Sequence, residues 1–123
     1  PQLALADYLQ RHDHERHLRR LRQRLAENAR MMRAAISRYW PAGTRCSEPA
    51  GGLSLWLQLP EGGDADALAQ AAMAEGIGIS PGTLFSGRGD YRDHVRLGCG
   101  LPWSETLDDA LRKVGELAGV RAR

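Results

Sequence analysis

The sequence of 123 residues predicts an α/β (α+β) fold, a two-layer sandwich in which helices cover one side of a small, mostly antiparallel sheet. Three observations predict it. The chain begins with a long amphipathic helical pattern, and short apolar segments with strand alternation follow. One shorter helical pattern lies between these segments and another comes after the last of them. The predicted order is helix, strand, strand, helix, strand, strand, helix. A mass of 13.5 kDa suits one domain with a modest core and excludes a two-domain enzyme.

The long helix is predicted over residues 15–40, after a shorter helical stretch at 3–10. Its apolar residues recur at spacings of three and four and form one stripe, made of Leu18, Leu21, Leu25, Ala29, Met32, Ile36 and Tyr39. Pro41 and Gly43 end the pattern. We expect residues 1–40 to be a helical spine that links the α/β domain of residues 41–123 to the rest of a larger protein.

Two strands are predicted next, at residues 44–48 and 53–59. In the second strand, alternation puts four leucines on one face and Ser54, Trp56 and Gln58 on the other. Asp64 can cap the following helix, which Gly76 can end. The apolar face of that helix comprises Ala65, Leu68, Ala69, Ala72 and Met73.

The remaining elements are a third strand at residues 77–80, a loop at 81–92, a fourth strand at 94–99 and a last helix that Ser104 can cap. The last helix turns Leu107, Ala110, Leu111, Val114, Leu117 and Ala118 to the core. We expect flexibility in the first few residues, in the 81–92 loop and in the 120–123 tail.

Arg96 interrupts the apolar fourth strand. Val95, Leu97 and Cys99 point to one face, and Arg96 points to the other beside Gly98. A guanidinium is costly to bury without an anion, and its planar fork suits a carboxylate. From the residues alone, either a ligand-binding arginine or an exposed arginine on an edge strand fits this pattern.

Charge is concentrated in the long helix, where residues 11–38 hold nine arginines against Asp13, Glu15 and Glu27. Arg16, Arg20 and Arg24 align at intervals of four, as on a nucleic-acid-binding surface. The chain has one lysine, however, and this helix has no interleaved aromatic residues or glycines. A solvated face, or one packed on an acidic domain, is favoured.

The sequence gives little support for a metal site or for disulfide bonds. His12, His14 and His17 have no second ligand cluster elsewhere, so no metal site is predicted. Cys46 and Cys99 are too few for a disulfide scaffold. With no apolar run of membrane length and no signal-peptide pattern at the start, we expect a cytoplasmic protein without membrane contact.

From Gly76 to Trp103, a helix ends in Gly, a strand leads into Pro-Gly, and a loop with an aromatic residue precedes a strand that contains Arg. This order of elements resembles the C-terminal small domain of the fold-type I pyridoxal phosphate (PLP) aminotransferases. The resemblance implies that Arg96 binds the α-carboxylate of an amino acid. It implies more weakly that Pro81, Gly82 and Phe85 belong to a loop beside the active-site cleft.

The segment V-R-L-G-C-G-L-P-W-S at residues 95–104, followed by a helix, is most similar to the MocR branch of GntR-family regulators. That resemblance implies a homodimeric parent with an N-terminal winged-helix domain for DNA binding and a large domain that carries the Schiff-base lysine. PLP would be a cofactor of the parent, and an amino acid or amine its ligand.

This chain by itself is expected to bind no PLP and to be catalytically inert. Its only lysine, Lys113, does not join the apolar face of the last helix, and no glycine-rich phosphate loop opens a helix. Two other interpretations stay open. The chain could be the small domain of a plain PLP-dependent aminotransferase, or a free-standing ferredoxin-like module that binds a small ligand.

Overall fold

The computed structural model describes residues 1–121, the last of them by its backbone only, and it confirms the two-layer α/β sandwich. The elements in chain order are α1 Gln2–Arg11, α2 His14–Tyr39, β1 Arg45–Cys46, β2 Ser54–Gln58, α3 Ala65–Ala74, β3 Ser80–Pro81, a 3₁₀ helix Gly82–Phe85, β4 His94–Gly98 and α4 Glu105–Arg121. Of the predicted tail, residues 120 and 121 belong to α4, and residues 122–123 lie outside the described residues.

The sheet has the order β1-β2-β4-β3, and every neighbouring pair is antiparallel. The third strand differs from the prediction of residues 77–80. Only Ser80 and Pro81 pair with β4, opposite Arg96 and Val95. Residues 77–79 run apart from β4, and a cavity of about 360 Å³ is lined by both segments. The strand at residues 77–80 was predicted from apolar composition alone. A strand forms, however, only where the segment can pair with β4, which is at Ser80 and Pro81.

One face of the sheet is closed by α2, α3 and α4, and the core lies between these two layers. Leu55, Leu57 and Val95 are fully buried there. Leu53, predicted on the same face, is 63% exposed because the chain bends at residues 50–53 and β2 begins only at Ser54. Met73 is also exposed, since the buried stripe of α3 is narrow and consists of Ala65, Leu68 and Ala72.

The helix ends follow the predicted capping residues. The Asp64 carboxylate accepts the backbone N–H of Ala67 at 2.9 Å, and the Ser104 hydroxyl accepts that of Leu107 at 3.1 Å. Gly76 ends α3 with a φ of 76°, and the N–H groups of Gly76 and Ile77 bond back to Met73 and Ala72. This pair of bonds is the Schellman motif, which favours glycine at that position.

The second half of α2 packs against α4 at close range. A Cβ added to Gly115 of α4 would lie 2.6 Å from the Tyr39 carbonyl oxygen, so only glycine permits this approach. The Trp40 indole N–H donates to the Leu111 carbonyl at 3.1 Å, and the Tyr39 hydroxyl donates to Asp108 at 2.8 Å. These contacts fix the helical layer against the sheet.

The first part of the molecule is not covered in this way. No residue of α1 is buried, Leu3 and Leu5 are 87% and 58% exposed, and the buried residues of α2 all lie in its second half. Among the described residues, no helix is both long and apolar enough to span a membrane.

Candidate functional site

The candidate site lies on the sheet face that no α-helix of residues 1–121 covers, named here the open face. Strand register places eight side-chain positions on it: Arg45, Ser54, Trp56, Gln58, Ser80, His94, Arg96 and Gly98. The open face is therefore the reverse side of the strands that build the core.

Arg96 is exposed in the middle of this face, as its place in the strand pattern predicted. Trp56 stands opposite it on β2, and the Arg96 Cζ lies 4.5 Å from the ring centroid of Phe85. This is a cation–π contact, which holds one face of the guanidinium and leaves its N–H groups directed elsewhere. Within residues 1–121, the Arg96 guanidinium forms no hydrogen bond or ion pair.

The carboxylate nearest to Arg96 in the sequence, Asp93, is bound by other partners. One of its oxygens accepts from Gln58 Nε2 at 2.8 Å, and the other lies 2.7 Å from Nδ1 of His94. The hydrogen bond from Gln58, helped by that of His94, lowers the pKa of Asp93 against the opposing effect of burial. Both oxygens of Asp93 thus have hydrogen-bond partners other than Arg96.

Three aromatic side chains meet around Trp56, and the four rings together form what we call the aromatic cluster. The His94 ring stacks on Trp56 with centroids 5.1 Å apart, and Tyr91 and Phe85 meet it edge-on at 5.4 Å and 5.9 Å. Tyr91 and His94 were not predicted as site residues. The available signal was Trp56 itself, a large aromatic on the otherwise polar face of a strand.

The structure brings only part of the predicted cleft loop to Arg96. Phe85 contacts it directly, whereas Pro81 is the end of β3 and pairs with Val95 of β4. Gly82 is buried at the start of the 3₁₀ helix, and a Cβ there would collide with the Tyr91 carbonyl and with the His94 Cβ. Gly82 therefore lets the loop lie close enough for Phe85 to reach the open face.

The tight loop also requires an unusual conformation at Tyr91, whose φ is 63°. A left-handed backbone at a bulky residue costs free energy that its surroundings must offset. Contacts of the Tyr91 ring with Trp56 and His94 provide that compensation.

The lysine that could form a Schiff base lies away from the open face. Lys113 lies on α4, in the layer that covers the opposite side of the sheet, and its Nζ is 3.5 Å from Glu75. On the helical spine, the His12 ring stacks on Tyr8 at 4.7 Å. No three His, Cys, Asp or Glu side chains converge as a metal site in the part of the chain that the structure describes.

Comparison with known proteins gives the family. The model of the aminotransferase class I and II family matches residues 2–114. The chain belongs to the class I and II aminotransferase family. It is 39% identical over 120 residues, 98% of its length, to the uncharacterized HTH-type transcriptional regulator YdcR of Escherichia coli, of which it spans 26%. It is 31% identical over 106 residues, 85% of its length, to the 2-aminoadipate transaminase of Thermus thermophilus, of which it spans 27%.

Solved structures of the aminotransferase family share the fold. The chain superimposes on LysN, the α-aminoadipate aminotransferase of Thermus thermophilus complexed with N-(5′-phosphopyridoxyl)-L-leucine, with a TM-score of 0.84 and 27% identity. The match covers 96% of this chain and 30% of LysN. This aminotransferase-like chain therefore spans between a quarter and a third of the length of YdcR, the 2-aminoadipate transaminase and LysN.

Proposed function

We propose that this chain is the C-terminal small domain of a PLP-dependent, aminotransferase-like transcriptional regulator of the GntR/MocR type, and that Arg96 binds the carboxylate of its amino-acid ligand. The observation that carries the proposal is the set of contacts that the Arg96 guanidinium makes. Its guanidinium lies against Phe85 with its N–H groups unbonded within residues 1–121, while Asp93 is held by Gln58 and His94.

This arrangement favours an anion supplied from outside the chain. An arginine that served only the fold would be expected to pair with a nearby carboxylate such as Asp93. Arg96 instead stands in an open site with aromatic walls, where a carboxylate can meet the guanidinium fork and lose part of its hydration. A charge-assisted contact of this kind is worth about 1.5–3 kcal/mol.

Two observations support further domains in the parent protein. The chain spans less than a third of the relatives described above, and α1 exposes apolar side chains. We assign PLP, with its lysine, to a large domain of the same polypeptide, and DNA binding to an N-terminal domain. Residues 1–40 would form the spine between domains, because α1 exposes Leu3, Leu5 and Leu9 as a helix does when its partner is absent. The proposal places the parent in the cytoplasm as a homodimer.

The regulatory step would be closure of this domain on the ligand. Carboxylate binding at Arg96 stabilises the closed arrangement relative to the open one, and about 1.5–3 kcal/mol is enough to bias such an equilibrium tenfold or more. Closure would change how the dimer presents its DNA-binding domains.

A second candidate, the small domain of a plain aminotransferase, is favoured by the 31% identity to the 2-aminoadipate transaminase and by the superposition on LysN. The higher identity and coverage with YdcR favour the regulator. The coding sequence upstream of Pro1 distinguishes them. A PLP domain preceded by a winged helix supports the regulator, a PLP domain alone supports the aminotransferase, and a start codon directly before Pro1 would leave the free-standing module.

The role of Arg96 is tested in the full-length protein with Arg96→Ala and Arg45→Ala as matched control. Arg45 pairs with Gln58 and so lies on the same face, exposed, but two strands from Arg96. Isothermal titration with the common L-amino acids should show Kd values raised about tenfold to a hundredfold by Arg96→Ala only. PLP absorbance should be unchanged. Equal affinity of Arg96→Ala and wild type for every responding amino acid would refute the role.

A further inference from the structure

Ser80 is a second polar side chain directly beside Arg96. In the sheet register, β3 presents Ser80 opposite Arg96, on the side away from Trp56. Directly opposed residues of antiparallel strands point to the same face with Cβ atoms about 4.5–5.5 Å apart. Trp56, Arg96 and Ser80 therefore form one row across the open face, and Ser80 contributes its only hydroxyl.

That hydroxyl has no bonding partner within residues 1–121, although Ser80 is half-buried. Other hydroxyls of the adjoining loop are engaged. Thr83 donates to Asp66 at 2.7 Å, and Ser86 donates to Asp90 at 2.8 Å. Ser80 thus differs from its neighbours in the same way as Arg96, since both lie on the open face and neither side chain has an acceptor within residues 1–121.

Space for an acceptor exists next to the pair. Gly98 follows Arg96 on the open face of β4, and a Cβ added at Gly98 would meet no atom within 4 Å. Because Phe85 lies over one face of the guanidinium, an anion must approach the guanidinium edge. A carboxylate offers about four lone-pair positions, so it can accept from the arginine fork and from one more donor.

We propose that Ser80 donates a hydrogen bond to the same ligand carboxylate that Arg96 binds. The inference rests on the proposed function and sharpens it. Two donors converging on one carboxylate select an amino acid over an amine that lacks this group, because the amine would leave both donors without an acceptor.

The test uses the full-length protein and two probes: the common L-amino acid that gives the strongest titration heat, and the amine that its decarboxylation would give. Ser80→Ala should weaken the amino acid about tenfold and leave the amine unchanged. Ser80→Thr, which keeps the hydroxyl, should retain most of the affinity. Ser37→Ala is the control, since Ser37 is an exposed serine of α2, in the helical layer on the opposite side of the sheet.

The outcomes separate this inference from the proposed function. If Arg96→Ala loses the amino acid and Ser80→Ala does not, Ser80 is no ligand and the role of Arg96 stands. If Ser80→Ala weakens the amine as much as the amino acid, or if Ser37→Ala weakens the amino acid as much as Ser80→Ala does, the effect is not a bond to the carboxylate and the inference fails. If neither Arg96→Ala nor Ser80→Ala changes amino-acid affinity, both proposals fail.

Discussion

The two faces of the sheet use the same strands for different purposes. On the closed face, Leu55, Leu57 and Val95 are fully buried under the helices and belong to the hydrophobic core. On the open face, the alternating positions carry Trp56, the Asp93-bound His94 and the exposed Arg96. Neighbours along one strand thus lie in opposite environments.

Because of this difference, we expect substitutions on the closed face to lower stability and substitutions on the open face to lower ligand affinity. Truncation on the closed face leaves a cavity in a close-packed core and lowers the free energy of unfolding. Truncation on the open face removes groups that are partly solvated, so stability should change little and ligand affinity should change most.

The largest expected effect is Leu57→Ala on the closed face. Leu57 is fully buried, so the variant should lose about 2–5 kcal/mol of unfolding free energy. Trp56→Ala, one residue earlier on the open face, should lose clearly less although it removes a larger side chain, because Trp56 is only half-buried. Urea unfolding of both variants measures this. Equal losses would show that the two faces are not energetically distinct.

The next effect concerns the helical layer that closes one face. Gly115→Ala places a Cβ 2.6 Å from the Tyr39 carbonyl oxygen and should destabilise the chain by about 1–3 kcal/mol. Gly119→Ala is the matched control in the same helix, where the nearest atom is Pro41 Cγ at 3.8 Å. It should stabilise α4 by up to about 1 kcal/mol through helix propensity. A destabilised Gly119→Ala, or a neutral Gly115→Ala, would contradict the packing described.

The smallest effect is the pH dependence contributed by Asp93 on the open face. Its pKa is lowered in the folded chain, so the stabilisation is present above the unfolded pKa of about 4 and is lost as the pH falls through the folded value. The side chain is 40% exposed, and we expect less than about 1 kcal/mol. Asp93→Asn should therefore be slightly less stable than wild type at neutral pH and approach it in acid. A pH-independent difference in urea midpoints would contradict this.

Local signals in the sequence predicted much of the fold and one part of the site. Capping residues such as Asp64 and Ser104, and the glycine at position 76, marked helix ends because they act through bonds a few residues away. The alternation of side chains along a strand predicted Leu57 and Trp56 on opposite faces, and it predicted that Arg96 points away from the core. Each of these inferences needs only the neighbouring sequence.

The errors and omissions have a common cause in contacts between distant segments. The start of β3 depends on where β4 can pair, and the exposure of Leu53 depends on a bend that ends the alternation. The contact of Phe85 with Arg96 requires the 3₁₀ helix and the left-handed Tyr91 to fold the loop onto the sheet. No periodic pattern encodes such a contact.

The central claim is that the open face binds a carboxylate through Arg96. A crystal structure of the full-length protein with its best-binding L-amino acid tests it most directly. We expect a ligand carboxylate oxygen about 2.7–2.9 Å from the Arg96 guanidinium, with the Phe85 ring still in contact with one face of that group. A ligand carboxylate bound elsewhere, with Arg96 paired to a side chain of another domain, would contradict it.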